Sequence, residues 1–233
     1  MPNMLNPARQ SPKPITFSAE EVLLILDGQK TQFRLPLKPQ PILVPFGNET
    51  SHWHWKDCQW LDGGIGFPKS GITDYALYHE GDILRVCEAW QYCNCEHQTY
   101  TEPCPECNAG GYLYQAHCKQ YEGYNDIQWN PASAMPVEAT RLFIKVKNVR
   151  VERLRDITVD DARAEGISEK LAFECNGWSP SYYDPDSGGH ADYRAGFFCE
   201  WDLLHEANGY GWEVNPFVWG YEFEIIEKSE GLA

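Results

Sequence analysis

Ile25-Leu26-Asp27-Gly28-Gln29-Lys30-Thr31-Gln32-Phe33-Arg34 is the stretch whose reading decides the fold. A helix ends in it, the chain turns, and a lysine, a threonine and an arginine follow at once. Ser18 and Glu21 form an S-x-x-E capping box that starts the helix. Val22, Ile25 and Leu26, at i, i+3 and i+4, give it one apolar face. Gly28 suits the left-handed residue just past a helix end, so Lys30 and Thr31 fall at a corner. A lysine held at a corner against apolar groups has its pKa lowered and becomes a usable base. The same residue also reads as a solvated cation placed where positive charge suits the helix dipole.

Outward from this corner, Pro36, Pro39, Pro41 and Pro45 make residues 35–45 extended. Residues 1–14 read as a loose arm. Residues 47–80, rich in Trp, Gly and His, read as a long ordered loop with short strands. A strand begins at Ile83 after Gly81-Asp82, with Glu88 near its end. A second strand over 140–153 places Arg141, Lys145 and Lys147 on one face and Leu142, Ile144 and Val146 on the other. That basic face is either a ligand surface or an ordinary solvated one. Thr158 and Asp161 cap a short helix that runs through Ala162, Ala164 and Glu165 and stops at Gly166. Residues 168–190 read as a loop. A helix over 191–207 carries Phe197, Trp201 and Leu204 at i, i+4 and i+7. From Phe217 to Ile226, Phe217, Trp219, Tyr221, Phe223 and Ile225 alternate as in a half-buried strand. The pattern predicts an α+β domain over 15–233, its core a curled sheet or small barrel with flanking short helices.

The 233 residues are 42% hydrophobic and 14% aromatic, enough for a sizeable core. A net charge of −15 argues against a surface that tracks long duplex DNA. A nucleoside, a short single strand or a basic protein remains compatible. No apolar run is long enough to span a membrane and no signal peptide is read, so no membrane partner is expected.

Nine cysteines are an odd number, and their spacing suits a metal better than a disulfide framework. Within residues 91–130, Cys93-Asn94-Cys95 precedes Cys104-Pro105-Glu106-Cys107, a C-P-x-C knuckle. Cys93, Cys95, Cys104 and Cys107 can close a tetrahedral thiolate site, for which Zn²⁺ is the expected metal. Four protein ligands leave no open position, so the zinc would be structural. His97, His117 and Cys118 are spare donors. Reduced thiolates imply a reducing, cytoplasmic compartment.

Together these residues carry a family likeness. The chain resembles the ASCH domain family of the PUA-like superfamily, in the longer form common in phage and prophage proteins. The likeness runs through Gly28-Gln29-Lys30-Thr31-Gln32-Phe33-Arg34, Gly81-Asp82-Ile83-Leu84 and Glu88-Ala89-Trp90. It continues in Val151-Glu152-Arg153-Leu154-Arg155-Asp156-Ile157-Thr158, Ala164-Glu165-Gly166-Ile167 and Asn215-Pro216-Phe217-Val218-Trp219. The resemblance implies a PUA-like small β-barrel with a cleft lined by the Lys30 turn. It also implies recognition of RNA or modified nucleosides, and in a small bacterial member the hydrolysis of N4-acetylcytidine by a lysine, a threonine and a glutamate. Lys30 and Glu165 match the lysine and the glutamate. Phe33 stands where that threonine would be, and Thr31 is the neighbouring hydroxyl.

The resulting expectation is recognition of a nucleobase, modified nucleoside or short single-stranded RNA. Lys30, Thr31 and Glu165 would form the reactive set. Arg34, Phe33, Glu88, Lys145 and Lys147 would meet the ligand, with Phe33 stacking on a base. One alternative is an amidohydrolase that removes an acyl group from a modified nucleoside. The other is an acidic protein that acts on a host protein.

Overall fold

The computed structural model describes residues 11–46, 50–55, 58–61, 73–92, 111–118, 127–175 and 192–227. Its strands are β1 (Lys13–Thr16), β2 (Gln32–Pro36), β3 (Ile42–Phe46), β4 (Thr50–Trp55), β5 (Cys58–Leu61), β6 (Ile83–Cys87), β7 (Trp90–Tyr92), β8 (Tyr112–Tyr114), β9 (Phe143–Arg153) and β10 (Phe217–Ile226). The helices are α1 (Ala19–Leu26), α2 (Gln115–Cys118), α3 (Val159–Ala164), α4 (Glu169–Glu174) and α5 (Tyr193–His205). Five strands hydrogen-bond in the order β1-β6-β9-β10-β2, β3-β4-β5 form a second sheet, and β7 pairs with β8. The class is α+β, as expected. The small closed barrel is not found among the described strands: β1 and β2 each have a single strand neighbour, and β3-β4-β5 pair among themselves. No described helix is long and apolar enough to cross a membrane.

The chain divides into two compact units, Met1–Asp27, Gly81–Val146 and Glu224–Ala233 in the first, Gly28–Glu80 and Lys147–Phe223 in the second. In the first unit, Ser18 and Glu21 make both bonds of the capping box, 3.2 Å and 2.9 Å, and start α1. Val22 and Ile25 are fully buried, whereas Leu26, read as part of the same apolar face, is largely exposed. β1 runs parallel to β6, and β6 pairs antiparallel with β9 in the register Leu84↔Ile144. Ile144 and Val146 are buried while Lys145 is exposed, so β9 alternates here as read. β7 and β8 pair Trp90 with Tyr114 and Tyr92 with Tyr112. Between these two strands the chain carries residues 93–110, which lie outside the described residues. The four expected zinc ligands Cys93, Cys95, Cys104 and Cys107 fall there, as does His97.

In the second unit β10 pairs antiparallel with β2, placing Gly220 beside Arg34 and Glu222 beside Gln32. Phe217 to Tyr221 are buried without interruption, so this half of β10 departs from the expected alternation. Both of its faces are covered. Val218 joins a cluster of Leu154, Ile157, Trp201 and Trp212, and Tyr221 stacks on Phe33 at 4.7 Å between ring centroids. Residues 169–174, read as loop, are helical. Ser168 caps α4 by accepting from Leu171 N at 3.2 Å, and Ala172 is fully buried in the same cluster. Gly196 of α5 lies against Ile167 and Ala172, and a Cβ there would come within 2.6 Å of the Ile167 side chain. Leu204, counted in the apolar stripe of α5, is exposed.

Candidate functional site: a buried ion network around Lys30 and Glu165

The site belongs entirely to the second unit. Gly28, at φ +71°, takes the left-handed conformation read for it, and the turn after it is tied down on both sides. Thr31 N donates to Ala164 O at 2.7 Å, and Phe223 N donates to Thr31 O at 2.9 Å. The first of these bonds fastens the turn to the last residue of α3. Thr158 and Asp161 cap the start of α3 reciprocally, and Gly166 at φ +92° ends it. Glu165 is the C-cap, so its carbonyl is one of those a helix end leaves without an intrahelical donor.

Lys30 fills that vacancy. Its Nζ donates to Glu165 O at 2.9 Å and to Glu165 Oε2 at 3.0 Å. One ammonium thus caps a helix C-terminus, where its charge suits the dipole, and neutralises the carboxylate of the same residue. Lys30 is 5% exposed, so the reading of it as a solvated cation does not hold. Arg34 Nη1 donates to the other oxygen, Glu165 Oε1, at 2.7 Å. Each carboxylate oxygen therefore faces its own cation.

Arg34 is in turn enclosed. Its Nε donates to Glu152 Oε1 at 2.8 Å, Asp161 Oδ2 is 3.6 Å from its Nη2, and its Cζ lies 5.8 Å from the Phe197 ring centroid. Burial by itself would lower its pKa, but Glu165, Glu152 and Asp161 outweigh that and raise it. Burial would raise the Asp161 pKa. Hydrogen bonds from Thr158 and Gln32 and the charge of Arg34 overcome it and hold the carboxyl below its usual 3.8.

A third cation joins these groups. Arg150 Nε donates to Glu152 Oε2 at 2.8 Å, Nη1 to Glu222 Oε1 at 2.7 Å, and Nη2 to Gln32 Oε1 at 3.0 Å and Asp161 Oδ1 at 2.8 Å. Gly220 leaves the space: a Cβ there would lie 3.2 Å from Glu152 Oε1 and 3.3 Å from Arg150 Cγ. Lys30, Arg34 and Arg150 stand against Glu152, Asp161, Glu165 and Glu222, leaving one net negative charge. The buried members are all paired, as charges taken from water must be.

Of the residues singled out from sequence, Lys30, Arg34 and Glu165 are thus brought together. Thr31 is exposed beside Lys30 in the chain. Phe33, read as a ring for base stacking, is 3% exposed, and one face is taken by Tyr221, with Tyr78 and Phe223 around it. Lys145 and Lys147 are exposed on β9. Glu88, fully buried, belongs to the first unit. There Arg141 forks onto both of its oxygens at 2.8 Å and lies 4.0 Å from the Tyr114 ring centroid. His117 packs on Arg141 at 3.1 Å. Burial first, and then Arg141, lowers the His117 pKa. Cys118 is buried. Among the described residues no group of three or more His, Cys, Asp or Glu is arranged to hold a metal.

Gln32, Arg150, Glu152, Asp161 and Glu222 were not read as site residues. The available signal was their alternation, Gln32 with Arg34, Arg150 with Glu152 and Gly220 with Glu222, each pair on one face of a strand.

No family model matches the chain, and no curated protein does. Among solved structures it is similar to the crystal structure of protein EF3133 from Enterococcus faecalis V583, described with family-model DUF984. The likeness covers 94% of this chain and 83% of that one at 10% sequence identity and a TM-score of 0.36. At that score it carries no argument about function.

Proposed function

We propose that the second unit carries an ASCH-type recognition site for a nucleobase, a modified nucleoside or a short single-stranded RNA, centred on Lys30 and Glu165. The observation that carries this reading is the contact itself. The two residues that the family resemblance pairs lie 135 positions apart and share a 3.0 Å ion pair. Fixed N–H donors beside fixed carboxylates are the groups that read the edge of a base or its acyl substituent. The cluster has no surplus of positive charge, which favours a base or nucleoside over a run of phosphates.

One observation favours amide hydrolysis as a second reading. Thr31 is exposed beside Lys30, and its backbone is held at both N and O. In such a reaction water adds to the acyl carbonyl, the C–N bond breaks, the exocyclic amine leaves with the proton the water gives up, and the acyl group departs as its carboxylic acid. If the Thr31 hydroxyl adds instead, the amine leaves in the same way and a water then hydrolyses the acyl-threonine ester. The Lys30–Glu165 pair would hold or pass that proton.

The test is titration of N4-acetylcytidine, cytidine and a short single-stranded RNA into wild type and Lys30→Ala at low salt. Wild type is expected to bind at least one of the three, and Lys30→Ala to bind it about tenfold more weakly, the effect of losing one charge-assisted hydrogen bond. Release of cytidine from N4-acetylcytidine would select the hydrolase. No binding and no turnover by folded wild type would refute both readings.

We further propose a structural zinc on Cys93, Cys95, Cys104 and Cys107, argued from their spacing alone. Metal analysis of purified protein should find about one zinc per chain, lost in the Cys104→Ser/Cys107→Ser variant. Zinc retained by that variant would refute the assignment.

A further inference from the structure

We infer that Arg150 is a positioning residue: it sets the geometry of the Lys30–Glu165 pair through Glu152, Arg34 and Asp161. Five side chains of alternating sign form an unbroken series. Arg150 Nε binds Glu152 Oε2 at 2.8 Å, and Glu152 Oε1 accepts from Arg34 Nε at 2.8 Å. Arg34 Nη1 binds Glu165 Oε1 at 2.7 Å, and Glu165 Oε2 accepts from Lys30 Nζ at 3.0 Å. A branch runs from Arg150 Nη2 to Asp161 Oδ1 at 2.8 Å. Asp161 lies four residues before Glu165 and begins the hydrogen-bonded turn on which Glu165 sits. Arg150 therefore holds both the strand residue that orients Arg34 and the helix that presents Glu165.

The consequence follows from charge. Without Arg150, the Glu152 and Asp161 carboxylates lose their second cation and turn on the nearest one left, Arg34. Arg34 is then drawn away from Glu165 Oε1, and the Lys30 corner loosens with α3. Lysine cannot replace it, because a single ammonium cannot span Glu152, Asp161, Gln32 and Glu222 as a planar fork does. The bearing of this on ligand binding rests on the function proposed above. The arrangement of the side chains does not.

The experiment therefore reads Lys30 with no nucleoside present. Acetic anhydride acetylates exposed, uncharged amines, and peptide mass spectrometry reports the rate at each lysine. In the full chain Lys30 is expected to react slowly, with Lys145 and Lys147 as fast internal references. In Arg150→Met the Lys30 rate is expected to rise about tenfold, the size of a coupling transmitted through one network, while the reference lysines stay unchanged. Arg150→Lys should recover only part of the protection. Arg150→Gln, which removes the charge and the fork while keeping a polar side chain, should move Lys30 in the same direction and serves if Arg150→Met does not fold. Ile157→Val, a core change in the same unit, controls for general loosening. A Lys30 rate within about twofold of wild type in folded Arg150→Met or Arg150→Gln overturns the inference. So does an equal rise in Ile157→Val.

Discussion

Replacing Glu165 with leucine is expected to destabilise the second unit by about 3–5 kcal/mol. Both oxygens of this carboxylate are bonded, Oε1 by Arg34 at 2.7 Å and Oε2 by Lys30 at 3.0 Å. The side chains of Lys30, Arg34 and Glu165 are 5%, 1% and 5% exposed, so water replaces the lost bonds only poorly. Leucine would leave two cations buried. Lys30 would retain the Glu165 carbonyl, and Arg34 would retain Glu152 and Asp161. Urea unfolding of wild type and Glu165→Leu measures the effect. The Lys30→Met/Glu165→Leu double variant should recover part of the loss, because removing both partners of a buried pair costs less than removing one. A single-variant loss below about 1 kcal/mol would place the pair in the range of solvated surface bridges.

Arg34→Met should cost at least as much, for the opposite reason. It removes the cation that Glu165, Glu152 and Asp161 share and leaves three carboxylates to two cations, Lys30 for the first and Arg150 for the other two. Here the effect depends on pH. Asp161 has a folded pKa below its usual 3.8, so its contribution is present above 3.8 and lost as pH falls through the lower folded value. Hydrogen bonds from Thr158 and Gln32 survive the substitution, but the charge of Arg34 does not. Wild type therefore loses this contribution on acidification, and Arg34→Met has less of it to lose. The stability gap between the two should narrow as pH falls below 3.8. A gap that stayed constant or widened would show that Arg34 does not stabilise the charged form of Asp161.

Much of the local structure was written in short-range signals. Ser18 with Glu21 and Thr158 with Asp161 mark helix starts because the side chain and backbone that satisfy each other are three residues apart. Gly28 and Gly166 mark helix ends because they take the left-handed conformation with no steric cost. These signals located both halves of the site. The family likeness, and no spacing rule, joined Lys30 to Glu165. What stayed hidden was non-local. Arg150, Glu152 and Glu222 look like the polar face of an ordinary strand, and only the pairing of Glu222 with Gln32 and of Gly220 with Arg34 brings those faces together. The surroundings of Phe33 were hidden for the same reason, since nothing near it in sequence announces Tyr221 as its stacking partner. Ser168 capped a helix that the glycine- and aspartate-rich sequence after it disguised as loop.

The central claim is that Lys30 and Glu165 act as one unit, and a double-mutant cycle of Lys30→Met and Glu165→Leu in urea tests it most directly. A coupling energy of about 2 kcal/mol is predicted, within the range for residues in one buried network. Additivity within about 0.5 kcal/mol would contradict the account, because it would mean that each side chain is stabilised without the other.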